Sequence, residues 1–583
     1  METESTQIFK QFEQGKDYIN SLNMITKSDD AFRFYEGDHW RGLKSGDEKM
    51  PIIEIIRPVV DYKVAIVTQN MLQIFYSSMN FENPLVRMQT QQICEKLNEH
   101  IARVWENNSM DNVNAQLVRE ACIAGEKYMY LYFKKSGKVE NGQEINGEIA
   151  FELVDNVNVM FADEQERDIQ KQPYVLLISR KLVRDVKNEA KQNGIPKSEI
   201  DFIISDEATD LQSGDSAKKE VKNDDKKCLC IVKLFKEDGK VYVEKSTKSV
   251  VYQKKTLLGL TNYPIAKFVW SDKKGSCRGE GDVYRYIPNQ IWVNKLEAYR
   301  LLSAKLFAFP KLIHSDRIAN KNAITDVGVA LEVKDDGINA VMQSVGYLNP
   351  APMSNDAKAV LDELMAYTKQ AAGASDVALG NTKADNYRAI LAVQEANKAP
   401  LSSQVERYKK YIEDLARIYY DFWVTYYPNG LPIITQKEVS DELGNLVMTE
   451  VQEVISQEEL RDLSVQIKVD ITSATPYNRL AEQQKADNLL QGGFLVPEAT
   501  PQLKNYVDIL PEDEAIKPKL EMVIEKNGMV TQTQQQMQMI MQENEQLKQI
   551  LMQVQDMQAI QETKQANMQD AAQNTAGLST KEL

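Results

Sequence analysis

Apolar positions along the chain change their period several times, and each change marks an element. The first 30 residues are polar and read as partly helical. Next comes Phe32-Arg-Phe-Tyr-Glu-Gly-Asp-His-Trp40, closed by Gly37 and Gly42; aromatics this dense anchor a helix end to a core. In Pro51–Phe75 the second half carries Val59, Val60, Val64, Ile66, Val67, Met71 and Leu72. It fits a buried helix with Pro58 in its first turn. Residues 84–124 stay helical, with Leu97, Ile101, Val104 and Trp105 along one face.

The period then shortens. Lys127–Phe133, Glu148–Val154, Tyr174–Ser179, Cys228–Phe235, Lys240–Lys245 and Val250–Lys255 read as strands, with turns at Gly137 and Asn141-Gly142. Between them, Asp201–Lys227 is rich in Asp, Lys, Ser and Gly and reads as a mobile surface insertion. The stretch 127–270 is therefore mostly β, inside an otherwise helical chain.

From Asp282 the spacing is helical again, through Ile287, Ile291, Ala298, Leu301, Leu302 and Leu306. Pro288 suits its first turn and Pro310 ends it. Residues 288–309 would span roughly 33 Å. Strand-like pieces follow at Lys311–Ile313, Val329–Val333 and Ile338–Met342. Ser354–Ala372 is helical, with Val360, Leu361, Leu364 and Met365 on one side. Gly373–Asn386 reads as a loop, and Tyr387–Tyr427 as a long helix interrupted at Pro400. A β-hairpin is expected over 432–471, turning at Glu442–Asn445, then a short helix at Arg479–Gln491. The tail, 529–570, repeats Met541, Leu547, Ile550, Leu551, Val554, Met557 and Ile560 at helical spacing beside glutamines. It suits a parallel bundle or barrel, or else a helix folded on its own subunit.

Composition narrows the function. The chain has 583 residues and a net charge of −15. That argues against a sequence-specific DNA binder, which rests on clustered cations. It does not exclude a protein that touches DNA without holding it. Five cysteines, with one C-x-C and no C-x-x-C, read as reduced thiols. The N-terminus has neither the basic nor the apolar region of a signal peptide, and no stretch approaches 18 uninterrupted apolar residues. No membrane partner is expected.

Catalytic signatures fail in turn. There is no G-x-x-x-x-G-K-[ST] and no G-x-S-x-G. Gly275-Ser-Cys-Arg-Gly279-Glu-Gly281 reads as a turn before a helix, since Glu280 would repel a phosphate. His39, His100 and His314 are far apart, and none sits in H-E-x-x-H or beside a cysteine pair. Carboxylates are plentiful, but no spacing selects a pair for a metal. No catalytic residue, metal or cofactor is expected. These absences favour a structural or conduit role over an enzyme.

Four stretches carry a family resemblance. They are Phe34-Tyr-Glu-Gly-Asp38; Ile56-Arg-Pro-Val-Val-Asp-Tyr-Lys63; Gly279-Glu-Gly-Asp-Val283 with Ile287-Pro-Asn-Gln290 and Asn294; and Ala378-Leu-Gly-Asn381 through Asn386-Tyr-Arg-Ala-Ile390. With the order of elements over roughly 30–500, the chain resembles the portal proteins of tailed double-stranded-DNA bacteriophages. The resemblance implies an α+β, mainly helical subunit of a ring oligomer, divided into wing, stem, clip and crown. It implies an N-terminal arm and wing over 1–281, stem helices at 282–314 and 354–373, and a clip at 315–353. A tunnel loop would follow at 374–390, a kinked helix completing the wing at 391–475, and a crown at 476–583.

The implied function is a twelve-membered ring at one capsid vertex, through which DNA enters and leaves. The implied partners are a separate terminase ATPase (its large subunit), head-completion and tail adaptor proteins, major capsid and scaffolding proteins, and double-stranded DNA passing non-specifically. The implied place is the virion's portal vertex, reached from the host cytoplasm during assembly. Asn381, Thr382, Lys383, Asn386 and Arg388 would meet DNA from the tunnel loop, or are solvated loop and cap residues. Arg300 and Lys305 would face the channel, or pair with Glu297 or Asp362. Asp335 and Asp336 of the clip would dock terminase or adaptor, or are turn residues. Two other classes stand beside this one: another virion structural protein such as a head–tail adaptor, and a metal-dependent DNA-processing enzyme.

Overall fold

The chain opens with α1 (Glu4–Ser21) and α2 (Met24–Tyr35), then α3 (Ile56–Thr68), β1 (Met71–Ser78), α4 (Pro84–Asn107) and α5 (Met110–Ala124). A β-rich stretch follows: β2 (Glu126–Glu140), β3 (Gln143–Asp155), β4 (Val159–Phe161) and β5 (Tyr174–Leu182). The helices α6 (Val183–Gln192) and α7 (Lys197–Ile200) precede β6 (Lys227–Glu237), β7 (Lys240–Ser246), β8 (Val251–Leu257) and β9 (Ile265–Val269). Then come α8 (Val283–Ala308), β10 (Lys311–His314), β11 (Val345–Leu348), α9 (Asn355–Ala371) and α10 (Ser402–Tyr426). The last elements are β12 (Leu431–Ser440), β13 (Leu446–Ile455), α11 (Gln457–Asp462) and β14 (Val465–Thr472). The structure is a computed structural model; it describes residues 4–42, 50–69, 71–78, 84–140, 143–206, 226–308, 311–314, 334, 345–348, 355–373, 399–440, 446–462 and 465–472. Helices and sheets alternate irregularly, an α+β organisation.

Two sheets build the body. One has strand order β3-β2-β9, the other β4-β5-β6-β7-β8, and every pairing in them is antiparallel. The run Cys228-Leu-Cys-Ile-Val-Lys-Leu234 is apolar on both phases because β6 is covered on both faces. Leu176, Ile178, Leu229 and Ile231 pack against Ile8, Phe12 and Ile19 of α1. On the other face Val175, Leu177, Val232 and Leu234 join the main core. Farther along that strand, Cys228 and Cys230 meet Val186 and Ala190 of α6. All five cysteines are buried and free.

α10 enters the main core along its length. Tyr408, Tyr411, Ile412, Leu415, Ile418, Tyr419, Phe422 and Trp423 recur at three- and four-residue spacing and are all buried. Tyr76 of β1 donates to the Ala416 carbonyl at 3.1 Å. Segments before residue 282 and after residue 399 thus share one core.

The six strands expected between 127 and 255 are all present. Other expectations are corrected. The buried helix of 51–75 stops at Thr68, and Met71–Ser78 is a strand paired antiparallel with Val465–Thr472. The hairpin is shorter than 432–471: β12 pairs with β13 over 431–455, and 465–472 leaves to cover β1. The helical run 84–124 breaks where Ser109 turns left-handed, φ 49°, and the Asn108 side chain caps the Val104 carbonyl at 2.9 Å. Pro288 lies inside α8 rather than in its first turn, because Val283–Tyr286 already continue the helix.

The first residues of the expected surface insertion, 201–206, are instead fixed to the body. Ile203 is buried, and Asp206 accepts from Arg180 at 3.1 Å and from the Leu229 amide at 3.0 Å. Residues 207–225 lie outside the described residues, as do Val329–Val333, Ile338–Met342, the expected helix Arg479–Gln491 and the Gln/Met tail.

α8 and α9 form an antiparallel pair. Asn289 donates to Thr368 Oγ1 at 3.0 Å, Tyr286 to the Ala371 carbonyl at 3.4 Å, and Val293 packs with Leu361. Leu361, Leu364 and Met365 face α8, but Val360 is 51% exposed on another flank.

Candidate functional site

Three of the four stretches singled out in the sequence meet in space, at the base of α8. Tyr35 donates to Asp61 Oδ1 at 2.8 Å, joining the first stretch to the second. Burial, and then the bond to Asp61, push the Tyr35 hydroxyl up to about 12. Lys63 joins the second to the third through Asp282 Oδ2, at 2.8 Å. The same carboxylate oxygen accepts from Trp270 Nε1 at 2.9 Å. Burial works against the Lys63 ammonium, but Asp282 more than offsets it, and the lysine is held above its usual value.

The first stretch also reaches the third. Asn294 Oδ1 accepts from the Ile53 amide and from Gln290 Nε2, each at 3.1 Å. Its Nδ2 therefore donates to His39 Nδ1, 2.8 Å away. That leaves His39 Nε2–H to donate to the Phe34 carbonyl at 2.8 Å. Burial lowers the His39 pKa, opposed by the Phe34 bond and by the Glu54 and Asp38 charges. Gln290 Oε1 accepts from the Ile55 amide at 3.0 Å, and its Nε2 also donates to the Ile53 carbonyl. Gln290 and Asn294 are one helical turn apart, so both amides face the same extended segment.

The glycines of the third stretch answer to packing rather than to turn geometry alone. A Cβ on Gly279 would stand 2.4 Å from the Gly125 carbonyl oxygen, and one on Gly281 2.3 Å from that of Ile123. The segment lies against the end of α5, where the Asp282 amide donates to Cys122 and the Trp270 amide to Gly125. Gly125 itself has φ 107°, which favours glycine. Glu280 faces solvent and pairs with Arg285 at 2.7 Å.

Beside this close approach lies a buried charge cluster that sequence reading missed. Arg278 is 2% exposed and spends all five N–H donors. They go to Glu164 (3.0 and 2.9 Å), Glu126 (3.2 Å), and the carbonyls of Asn156 (3.1 Å) and Val159 (2.9 Å). Glu126 takes the Gly279 amide on its other oxygen at 2.8 Å. Burial works against the Arg278 charge; Tyr128, Glu126 and Glu164 outweigh it and hold the guanidinium well above its usual value. A lone Arg before a glycine gives no sequence signal, because its partners come from three distant segments.

Arg300 and Lys305 lie on the distal part of α8. Arg300 pairs with Glu297 at 3.3 Å, within its own helix. Lys305 is exposed. Asn381, Thr382, Lys383, Asn386, Arg388, Asp335 and Asp336 lie outside the described residues, as does the fourth stretch, 378–390.

The arrangement ties the start of α8 to α2, α3 and the extended segment before α3. A separate open cavity of about 590 Å³ lies between the 166–170 turn, β9 and α10. Its lining mixes Arg167, Lys410 and Arg417 with Asp168 and Asp414, and Arg407 is already paired with Asp272 at 2.9 Å. Mixed charge of this kind gives no cradle for an anion. Among the described residues no group of three or more His, Cys, Asp or Glu could hold a metal ion, and no helix is long and apolar enough to cross a membrane.

A family model described as phage P22-like portal protein matches residues 191–575. The matched span, more than half of the chain, contains the 278–294 side of the junction; the 34–63 side precedes it. No curated protein matches the chain.

Proposed function

The chain belongs to the phage P22-like portal protein family, and from that premise we propose that it closes into a ring of twelve subunits at one capsid vertex. The ring is the channel through which double-stranded DNA is packaged and ejected, and the docking site for terminase and the head-completion and tail adaptor proteins. α8 and α9 are its stem, 315–353 its clip, 374–390 its tunnel loop and 476–583 its crown.

One observation carries this reading beyond the family itself. α8 is 26 residues long, about 39 Å. It is held at its base by the Lys63, His39, Gln290 and Asn294 network, while Trp292, Tyr299, Leu301 and Leu302 farther along are about half exposed. Trp292, Tyr299 and Leu302 share a flank turned away from Gln290 and Asn294, and apolar residues so placed need a neighbour to cover them. A ring supplies one.

Net charge fits a conduit. Each subunit carries −15, so a ring of them repels phosphates and lets DNA slide. A DNA-processing enzyme would instead gather carboxylates around an open pocket. The reading expects no catalysis by this chain: a turnover assay with ATP, Mg²⁺ and duplex DNA should stay at background.

The DNA-contact assignment rests on the loop 374–390, where Asn381, Thr382, Asn386, Lys383 and Arg388 offer neutral and single-charge contacts. One screened charge per subunit is worth on the order of 1 kcal/mol, enough to grip transiently and not to trap. Shortening Gly373–Asn386 by several residues should leave ring formation intact and change the length or retention of packaged DNA. Loop-shortened virions that package and hold DNA normally would make the loop a connector only.

A further inference from the structure

The α8–α9 pair carries two exposed stripes of different charge. On α8, Trp292, Tyr299 and Leu302 are 54%, 60% and 52% exposed, with Lys295 between them. These positions are three, seven and ten residues from Trp292, one face of a helix. Lys295 lies over the Trp292 ring, its Nζ 5.4 Å from the centroid. On α9, Val360 and Tyr367 are 51% and 60% exposed, and Glu363 stands exposed between them. Among the described residues, Lys295 has no carboxylate within ion-pair distance and Glu363 has no cation.

The stripes lie on different flanks of the pair. The residues of α8 that touch α9 (Asn289, Val293) sit about 120° round the helix from the Trp292–Tyr299 stripe. The residues of α9 that touch α8 (Leu361, Thr368) are similarly far round from Val360 and Tyr367. One molecule therefore cannot bring its own stripes together.

Their heights along the pair match. The contact of Asn289 with Thr368 sets the antiparallel register. Counting along both helices from it, Lys295 is level with residue 362, beside Glu363. By the same count Tyr299 falls within two residues of Val360, and Trp292 within two of Tyr367. All three offsets run the same way, so one shift of about 3 Å levels them together.

We infer that a second copy of the chain docks its α9 stripe on the α8 stripe, Glu363 opposite Lys295 and the Val360 and Tyr367 side chains against Tyr299 and Trp292. This rests on the ring reading above and names the contact that would close it. Charge selects the pairing. An α8-to-α8 contact would set Lys295 against the lysine stripe of the other copy, whereas α8 to α9 sets lysine against glutamate. Such a contact is heterologous: each subunit offers its α8 stripe to one neighbour and its α9 stripe to the other, the head-to-tail arrangement from which a ring closes when the rotation between copies returns to the start.

The test uses the 583-residue chain and native mass spectrometry. Lys295→Glu and Glu363→Lys should each raise the concentration needed for assembly about tenfold or more, and the two together should restore it. A wild-type ring indifferent to both reversals, or a double variant no better than either single one, overturns the contact and leaves the ring reading standing. A wild-type chain that stays monomeric overturns both. If a reversal costs helical circular dichroism, Tyr299→Cys with Val360→Cys reads the same contact through a short bismaleimide. Covalent multimers are expected, and single-chain products alone overturn the inference.

Discussion

Lys63 Nζ lies 2.8 Å from Asp282 Oδ2, so a residue of α3 clasps the residue that precedes α8. Lys63 is 6% exposed and its ammonium has left water for this one carboxylate. Removing the carboxylate strands a buried charge, at a cost of about 3–5 kcal/mol. Asp282→Asn should lower stability in urea by an amount of this order, and Lys63→Met added to it should recover much of the loss. A cost below about 1 kcal/mol would mean that water reaches Lys63. The linkage also has a sign. The folded lysine titrates above its usual value, so its contribution is full below about pH 10.5 and is lost as pH rises through the folded value.

Gly279 and Gly125 touch backbone to backbone. Gly279→Ala would place a methyl group 2.4 Å from the Gly125 carbonyl oxygen and 2.8 Å from a Val269 methyl carbon. Neither the carbonyl nor the sheet strand behind it can swing away, so the expected loss is about 1–3 kcal/mol or more. Gly275→Ala separates the two effects: Gly275 has a positive φ of 72°, but its Cβ would meet nothing within 4 Å, so it reports backbone strain without a clash. Thermal unfolding should rank Gly279→Ala as the more damaging of the two.

Glu126 ties Arg278 to the Gly279 amide and is fully buried. Glu126→Gln keeps the shape and removes the charge, leaving Arg278 with Glu164 alone. Destabilisation of about 3 kcal/mol is expected in denaturant unfolding. Arg278→Lys should cost a comparable amount, because an ammonium cannot reproduce five donors in a plane. A near-neutral Arg278→Lys would contradict the bond network.

His100 sits against Trp423, ring centroids 5.2 Å apart. Burial, with a smaller contribution from the Arg103 charge, lowers its pKa to about 4. In the unfolded chain it titrates near about 6.5, so between these values only the unfolded chain takes the proton. Stability is therefore full above about pH 6.5, falls with pH, and has lost about 3 kcal/mol below about pH 4. His100→Gln should flatten the fall between pH 6.5 and 4.5. His39, whose pKa burial also lowers, leaves a residual slope of the same sign. Parallel pH curves for variant and wild type would contradict the assignment.

Local periodicity made much of the body legible, since strands such as Cys228–Phe235 and helices such as α10 carry their own pattern. It failed where the pattern was ambiguous over one turn. Val64, Val67 and Met71 fall at helical spacing, yet Met71 starts a strand, because β14 at the far end of the described chain offers it a ladder. The same distant pairing took Val465–Thr472 out of the expected hairpin. Val360 read as core by adjacency to Leu361, and only the α8 contacts show it on the open flank. At the junction, the stretches were visible but their meeting was not. Gly279 and Gly281 passed for turn residues, and His39 for an isolated histidine, because the partners Gly125 and Asn294 lie far off in sequence.

The ring itself is tested most directly by native mass spectrometry of the purified 583-residue chain. A closed assembly at twelve times the 66.4 kDa subunit mass is expected, and a neighbouring number such as thirteen would still be a ring. A chain that stays at 66.4 kDa at every concentration would contradict it.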